Sequence, residues 1–167
     1  LYDNAQLAKL YLNAGRVLGR ADYSAVGFAT LDFMLKAMQA ENGGMIASLS
    51  AVDKLGREGA YYLFDDDALA QALTPDEVQV LRAVWSLPDA AAFDYGHLLV
   101  NQAPLELAAV QLGWAPDEIE RTLASAMGKL RDLRRDRSLP VDDKVLAGWN
   151  ALAMEAFIAG ARQSDEA

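Results

Sequence analysis

"LPVDDKVLAGWNALAMEAFIAGAR", Leu139–Arg162, sets two adjacent carboxylates, a lysine, a tryptophan and an asparagine at the entrance to an apolar stretch. Val145, Trp149, Leu152, Ala153, Ala156 and Phe157 recur at helical spacing, so the stretch reads as an amphipathic helix beginning after the Leu139-Pro140 break. Asp142 and Asp143 then stand at the positive pole of that helix, one as a cap for free N–H groups and the other favouring the macrodipole. Trp149 falls within the apolar stripe and reads as core, whereas Asn150 falls beside it, available to a ligand or a neighbouring loop.

The same period recurs outward from this segment. Leu7, Leu10, Tyr11, Ala14, Val17 and Leu18 mark one helix, with Asp3 as its cap and Gln6 as the capping-box partner. After "GRAD", Tyr23, Val26, Thr30, Phe33, Met34 and Ala37 mark a second, running to an Asn42-Gly43-Gly44 stop; the two should form an antiparallel hairpin. Thr74-Pro75-Asp76-Glu77 combines a cap, a first-turn proline and a capping-box glutamate, opening a helix that reaches about Trp85. Pro104 opens a helix closed by Gly113, and Pro116 a longer one with Ile119, Leu123, Met127, Leu130 and Leu133 on one face. Its basic end, "KLRDLRRDR", suits the negative pole of the helix macrodipole. Between Met45 and Phe64 the period lapses around Gly56 and Gly59, predicting an irregular loop or short β-hairpin. The expected fold is all-α, paired helices in a single domain over residues 1–167.

Composition narrows the function. Fifteen basic against 24 acidic residues, a net charge of -9, disfavour nucleic acid and anionic membrane surfaces as partners. The absence of cysteine excludes disulfides, a thiolate nucleophile and a Cys-based zinc site within this chain, and the single histidine, His97, forms no histidine cluster. No metal or cofactor is therefore expected. There is no continuous apolar run long enough for a membrane span and no leader before Leu1, so a soluble, cytoplasmic chain taken from something longer is expected. "LELAAVQLGWAPDEIERTLASAMGKLR" has the outline of a helix-turn-helix. Its second helix, however, begins with Asp117, Glu118 and Glu120, where phosphate and base contacts would sit, so it reads as a hairpin of a bundle.

Three stretches, "LYDNAQLAKLYLNA" at Leu1, "GREGAYYLF" at Gly56 and "DDKVLAGWNAL" at Asp142, together resemble the spermatogenesis-associated, thioredoxin-domain-containing family. In that family a thioredoxin-like domain precedes an (α/α) toroid of the six-hairpin glycosidase and N-acylglucosamine 2-epimerase kind. The resemblance implies that this chain is the middle part of such a toroid, without the thioredoxin-like domain, and places helix ends and loops around a central cleft. Where the family carries an acidic "LDADS" run, this sequence has "LSAVDK", with Ser50 and Val52 in place of carboxylates. The family's "WNG" is "WNA" here, ending at Ala151, and in "FDYGHLL", Phe93–Leu99, its Gly-Lys-Asn core is only loosely kept.

By this resemblance the candidate catalytic residues are Asp142, Asp143 and Glu58, and the candidate substrate-binding residues are Tyr2, Asp3, Asn4, Trp149 and Asn150. Two carboxylates can divide acid and base duties in glycoside cleavage or sugar proton transfer if burial raises one pKa. Sequence neighbours on a helix do not face each other, so a working pair would join Asp142 or Asp143 to Asp3 or Glu58 from another hairpin. Lys144 reads as an ion-pair partner for a nearby aspartate, and His97 as an isolated turn residue. The implied function is binding or processing of a small sugar-like ligand, in a segment expected to be incomplete. The alternative is a structural or protein-interaction module without catalysis. Helix faces left bare by missing hairpins should favour a homodimer.

Overall fold

The computed structural model describes residues 1–41, 43–85 and 87–165. Its elements are α1 (Tyr2–Leu18), α2 (Ala21–Ala37), β1 (Ser48–Leu49), a 3-10 turn (Ala60–Tyr62), α3 (Asp66–Ala72), α4 (Pro75–Val84), α5 (Leu105–Leu112), α6 (Pro116–Arg135), β2 (Val141–Asp142) and α7 (Ala147–Asp165). The fold is mainly α-helical, as the sequence period predicts. None of the helices among the described residues is long and apolar enough to cross a membrane. Contacts sort the chain into two compact units, Leu1–Ser50 with Val141–Ala167, and Ala51–Pro140.

In the first unit α1 packs against α2 and α7. Gly19 takes a left-handed conformation (φ 64°) and its N–H donates to the Gly15 carbonyl, which stops α1 and lets α2 begin at Ala21. The hairpin is tight because its facing positions are small. A side chain at Gly27 would lie 2.6 Å from the Leu12 side chain, and one at Gly15 would meet the Ser24 hydroxyl and sit 2.7 Å from the Ser24 backbone nitrogen. The buried face of α1 is accordingly Ala5, Ala8, Leu12 and Gly15. This corrects the expected phase: Leu10 and Val17, placed on the apolar stripe by their helical spacing, are 61% and 75% exposed. Only small residues permit the close helix approach, so the bulkier stripe turns outward. On α2 the buried residues are Gly27, Leu31 and Met34, with Val26 and Phe33 exposed for the same reason. Ala153 and Ala156 of α7 are buried, and Trp149, Leu152 and Phe157 pack against that core as their period predicts.

Three local expectations change. Asp3 does not cap α1, whose N-cap is Leu1 without a side-chain bond; the Gln6 amide donates to the Tyr2 carbonyl instead. The helix simply starts before Asp3. Helix α2 ends at Ala37, ahead of the predicted glycine stop, of which Asn42 lies outside the described residues. The strand within the irregular region pairs not with its sequence neighbour but with β2, Ser48 opposite Asp142 and Leu49 opposite Val141, antiparallel. Residues 51–140 are thus inserted between two paired strands.

The second unit is built on α4. Its capping box is complete: the Glu77 N–H donates to the Thr74 hydroxyl and the Thr74 N–H to the Glu77 carboxylate. Leu81 faces a cluster with Phe64, Leu69, Leu73, Leu87, Ala126 and Leu130, while Val80 and Val84 face another with Ala108, Ala109 and Ile119. Gly113, left-handed at φ 71°, ends α5 as predicted. Helix α3 was not legible from apolar period; Asp65 caps it, accepting from the Ala68 N–H at 2.7 Å, with Asp66 and Asp67 in its first turn. Glu77 is buried and also accepts from the Ser125 hydroxyl at 2.7 Å and the Lys129 ammonium at 2.8 Å. Burial alone would raise its pKa, but these bonds and the Thr74 N–H bring it down to about 2.

Two outcomes follow for stability. Gly15→Ala should destabilise the chain by roughly 1–3 kcal/mol through overpacking. Gly128→Ala, whose new methyl would meet nothing within 4 Å, should instead stabilise α6 by roughly 0.5–1 kcal/mol; thermal melts of the two variants check the pair. Because the folded pKa of Glu77 lies near 2, below that of an unfolded glutamate, its contribution is present above the unfolded value and lost as pH falls toward the folded one. Glu77→Ala, which removes the capping-box acceptor of the Thr74 N–H and the acceptor of Ser125 and Lys129, should cost on the order of 3 kcal/mol at neutral pH, and the gap from the parent should narrow in urea melts run at progressively lower pH.

Candidate functional site

Helix α7 starts at Ala147, so Asp142 and Asp143 precede it and neither caps it. Asp142 belongs to β2, where its carbonyl accepts from the Ala47 N–H at 3.1 Å. Both of its carboxylate oxygens accept from the Lys144 ammonium at 2.9 Å. That hydrogen bonding holds Asp142 below the usual carboxylate range. The arrangement suits a permanent anion, not a proton donor at neutral pH. Asp143 is exposed.

Asn150 has a defined structural task. Its side-chain oxygen accepts from the Met45 N–H at 2.8 Å, and its amide donates to the Met45 carbonyl at 3.0 Å and the Leu146 carbonyl at 3.1 Å. The first turn of α7 is thereby clasped to the segment leading into β1. Of the candidate binding residues, the structure brings Tyr2 and Trp149 together, their ring centroids 4.8 Å apart and tilted by 53°. Asp3 is exposed and Asn4 half-buried on the first turn of α1. Glu58 lies in the other unit, exposed, its backbone bridged to Val52.

A polar cavity lies in the second unit, among residues other than the candidate site residues. A cavity of about 340 Å³ is lined by Asp53, Lys54, Arg57, Tyr61, Asp65, Tyr95, Asp136 and Arg137, with several neighbours. Asp53 organises one wall. One oxygen accepts from the Leu55 and Arg57 N–H groups at 2.8 and 3.0 Å, and the other accepts from Arg57 Nε at 2.8 Å. These bonds, led by the Arg57 N–H, outweigh burial and lower the Asp53 pKa. The Arg57 guanidinium lies 5.8 Å from the centre of the Tyr95 ring.

Tyr95 is held by its neighbours in the chain. At Gly96, φ 126°, a side chain would collide with the Phe64 carbonyl group, so glycine is required there. That close approach lets His97 and Phe64 exchange backbone hydrogen bonds of 2.8 and 3.1 Å. His97 is not the isolated turn residue expected: it is buried, and its Nε2 meets Asp66 Oδ1 at 2.9 Å. Its Nδ1 has no partner among the described residues.

Arg137, read from sequence only as part of a basic helix end, lies beyond α6 and lines the same cavity. Its Nη1 donates to the carbonyls of Ala60, Tyr61 and Leu63 at 3.0, 3.2 and 2.6 Å, and its guanidinium stands 5.0 Å from the Phe64 ring centre. Burial pushes its pKa down. Nothing in its sequence neighbourhood signals this role, because the carbonyls it serves are some 75 positions away. Among the described residues, no three histidines or carboxylates assemble a metal-binding group.

No family model matches the chain. It is 28% identical over 183 residues to spermatogenesis-associated protein 20 of Homo sapiens, an alignment covering 94% of this chain and 23% of that protein. The chain is similar to spermatogenesis-associated protein 20. The protein of that name from Mus musculus is 26% identical over 182 residues, again with 94% of this chain covered. The resemblance expected from the three motifs is thus borne out along nearly the whole sequence. The chain spans 23% of the length of spermatogenesis-associated protein 20.

The stretch around Asp142 yields a contrast that melts can measure. Asn150→Ala, which removes three backbone hydrogen bonds, should lower stability by about 2 kcal/mol. Asp142→Asn, which removes an exposed ion pair, should change it by no more than about 1 kcal/mol. Equal losses would contradict the assignment of Asn150 as the clasp.

Proposed function

We propose that this chain contributes a binding cleft for a small sugar-like ligand to a longer (α/α) toroid, and that the cleft is the cavity between Arg57, Tyr95 and Arg137. The observation that carries this reading is the lining itself. Tyr61 and Tyr95 offer aromatic faces while Asp65, Arg57 and Arg137 offer acceptors and donors around about 340 Å³, a volume within the usual range for small-molecule sites. Aromatic faces stack on the C–H faces of a sugar ring, and charged groups bridge adjacent hydroxyls.

The cleft is a binding site in this reading. Asp142 is held as an anion by Lys144, and the cavity is lined by residues other than Asp142, Asp143 and Glu58. A second reading has its own observation: Leu7, Leu10, Val17 and Leu18 form an exposed apolar stripe on α1, which favours an interaction module and a homodimer through that face. Light scattering over a micromolar concentration series should show association that Leu10→Glu abolishes; a strict monomer throughout removes the dimer.

For the cleft, amide chemical shifts should be followed during titration with neutral monosaccharides. Saturable shifts are expected at Arg57, Tyr95 and Gly96, with Tyr95→Ala weakening binding about tenfold. Saturable shifts confined to Tyr2 and Trp149 would move the site to the aromatic pair of the first unit, and the absence of any saturable shift would reject sugar binding by this chain.

A further inference from the structure

Resting on the cleft reading above, we infer that its ligand carries an oxyanion, a carboxylate or a phosphate, and that Arg137 receives it. The charges around the cavity are unevenly committed. Arg57 is paired with Asp53 at 2.7 Å, and an Asp65 oxygen is occupied in capping α3. Arg137 is different: it forms no ion pair among the described residues, and its Nη1 alone is engaged, by three carbonyls. Asp65 favours its charge electrostatically without pairing to it.

Two features make this guanidinium a receptor and not merely a brace. Its plane is set in advance by the carbonyl contacts and the Phe64 ring, so little freedom is lost on binding. Its Nε and Nη2 atoms, the edge that grips an oxyanion with two parallel hydrogen bonds, have no partner among the described residues. A half-buried cation without a counter-charge is costly, and an incoming anion offsets that cost. Lys54 lines the same cavity and adds a second cation. Asp65 and Asp136 also line it; they supply acceptors for hydroxyls and disfavour a ligand with several negative charges.

Calorimetric titration of the whole chain with glucose, glucuronate, glucose 6-phosphate and inorganic phosphate tests this. At least one anionic sugar should bind about tenfold or more tightly than glucose, with the advantage shrinking as salt is raised. Arg137→Lys keeps the charge but loses the fork and should remove most of that advantage. Lys54→Gln, an exposed change that spares the fold, should reduce it and its salt dependence. The preferred sugar identifies carboxylate or phosphate as the group recognised. Equal affinity for glucose and both anionic sugars would overturn the oxyanion while leaving the cleft reading in place. Inorganic phosphate binding as tightly as the sugar phosphate would support the anion site but reject the sugar. If none of the four probes bound, both readings would fall.

Discussion

Close approach of helix backbones is the constraint on which the first unit depends. Gly15 and Gly27 leave no room for a side chain between α1 and α2, and at Gly160 of α7 an added methyl would press on Leu31. Because packing falls off steeply with separation, a seam of alanines and glycines holds helices more closely than a seam of leucines would. The consequence extends to the surface: with the small residues spent on the seam, Leu7, Leu10, Val17 and Leu18 face outward. The same seam carries the start of α7, where Asn150 ties the helix to the Met45 backbone and the β1–β2 pairing follows.

The second unit combines two apolar clusters with a buried carboxylate and a half-buried guanidinium. Glu77 satisfies the first turn of α4 and binds Ser125 and Lys129 of α6. Arg137 does the converse, supplying donors to the carbonyls of Ala60 and Tyr61 in the 3-10 turn and of Leu63 just beyond it. Each charged group replaces lost hydration with several hydrogen bonds, which is the condition under which such groups stabilise a fold. They differ in what remains: the carboxylate meets a lysine, whereas the guanidinium keeps an edge uncommitted beside a cavity.

The contrast also separates the Asp142 stretch from the surroundings of Arg137. Around Asp142 the conspicuous residues are committed locally, the carboxylate to Lys144 and the asparagine to backbone. Around Arg137 the residues are individually plain, but turns at Gly56 and Gly96 collect them about one cavity. A dense sequence motif therefore marks a demanding fold junction, and a scattered set of ordinary residues makes the concave surface.

Sequence by itself determined the helical class, the Thr74 capping box, the Gly113 and Pro116 boundaries and the relationship to spermatogenesis-associated protein 20. These depend on local hydrogen-bond chemistry, on hydrophobic period, or on motif identity, all of which read along the chain. Tertiary structure alone decided which face of α1 is buried, that β1 pairs with β2, that His97 meets Asp66, and that Arg137 serves a turn distant in sequence. The physical reason is common to all four. Periodicity reveals that a helix has faces but not how near its neighbour can come, and a side chain's partner across a fold is set by contacts between segments that no local pattern records.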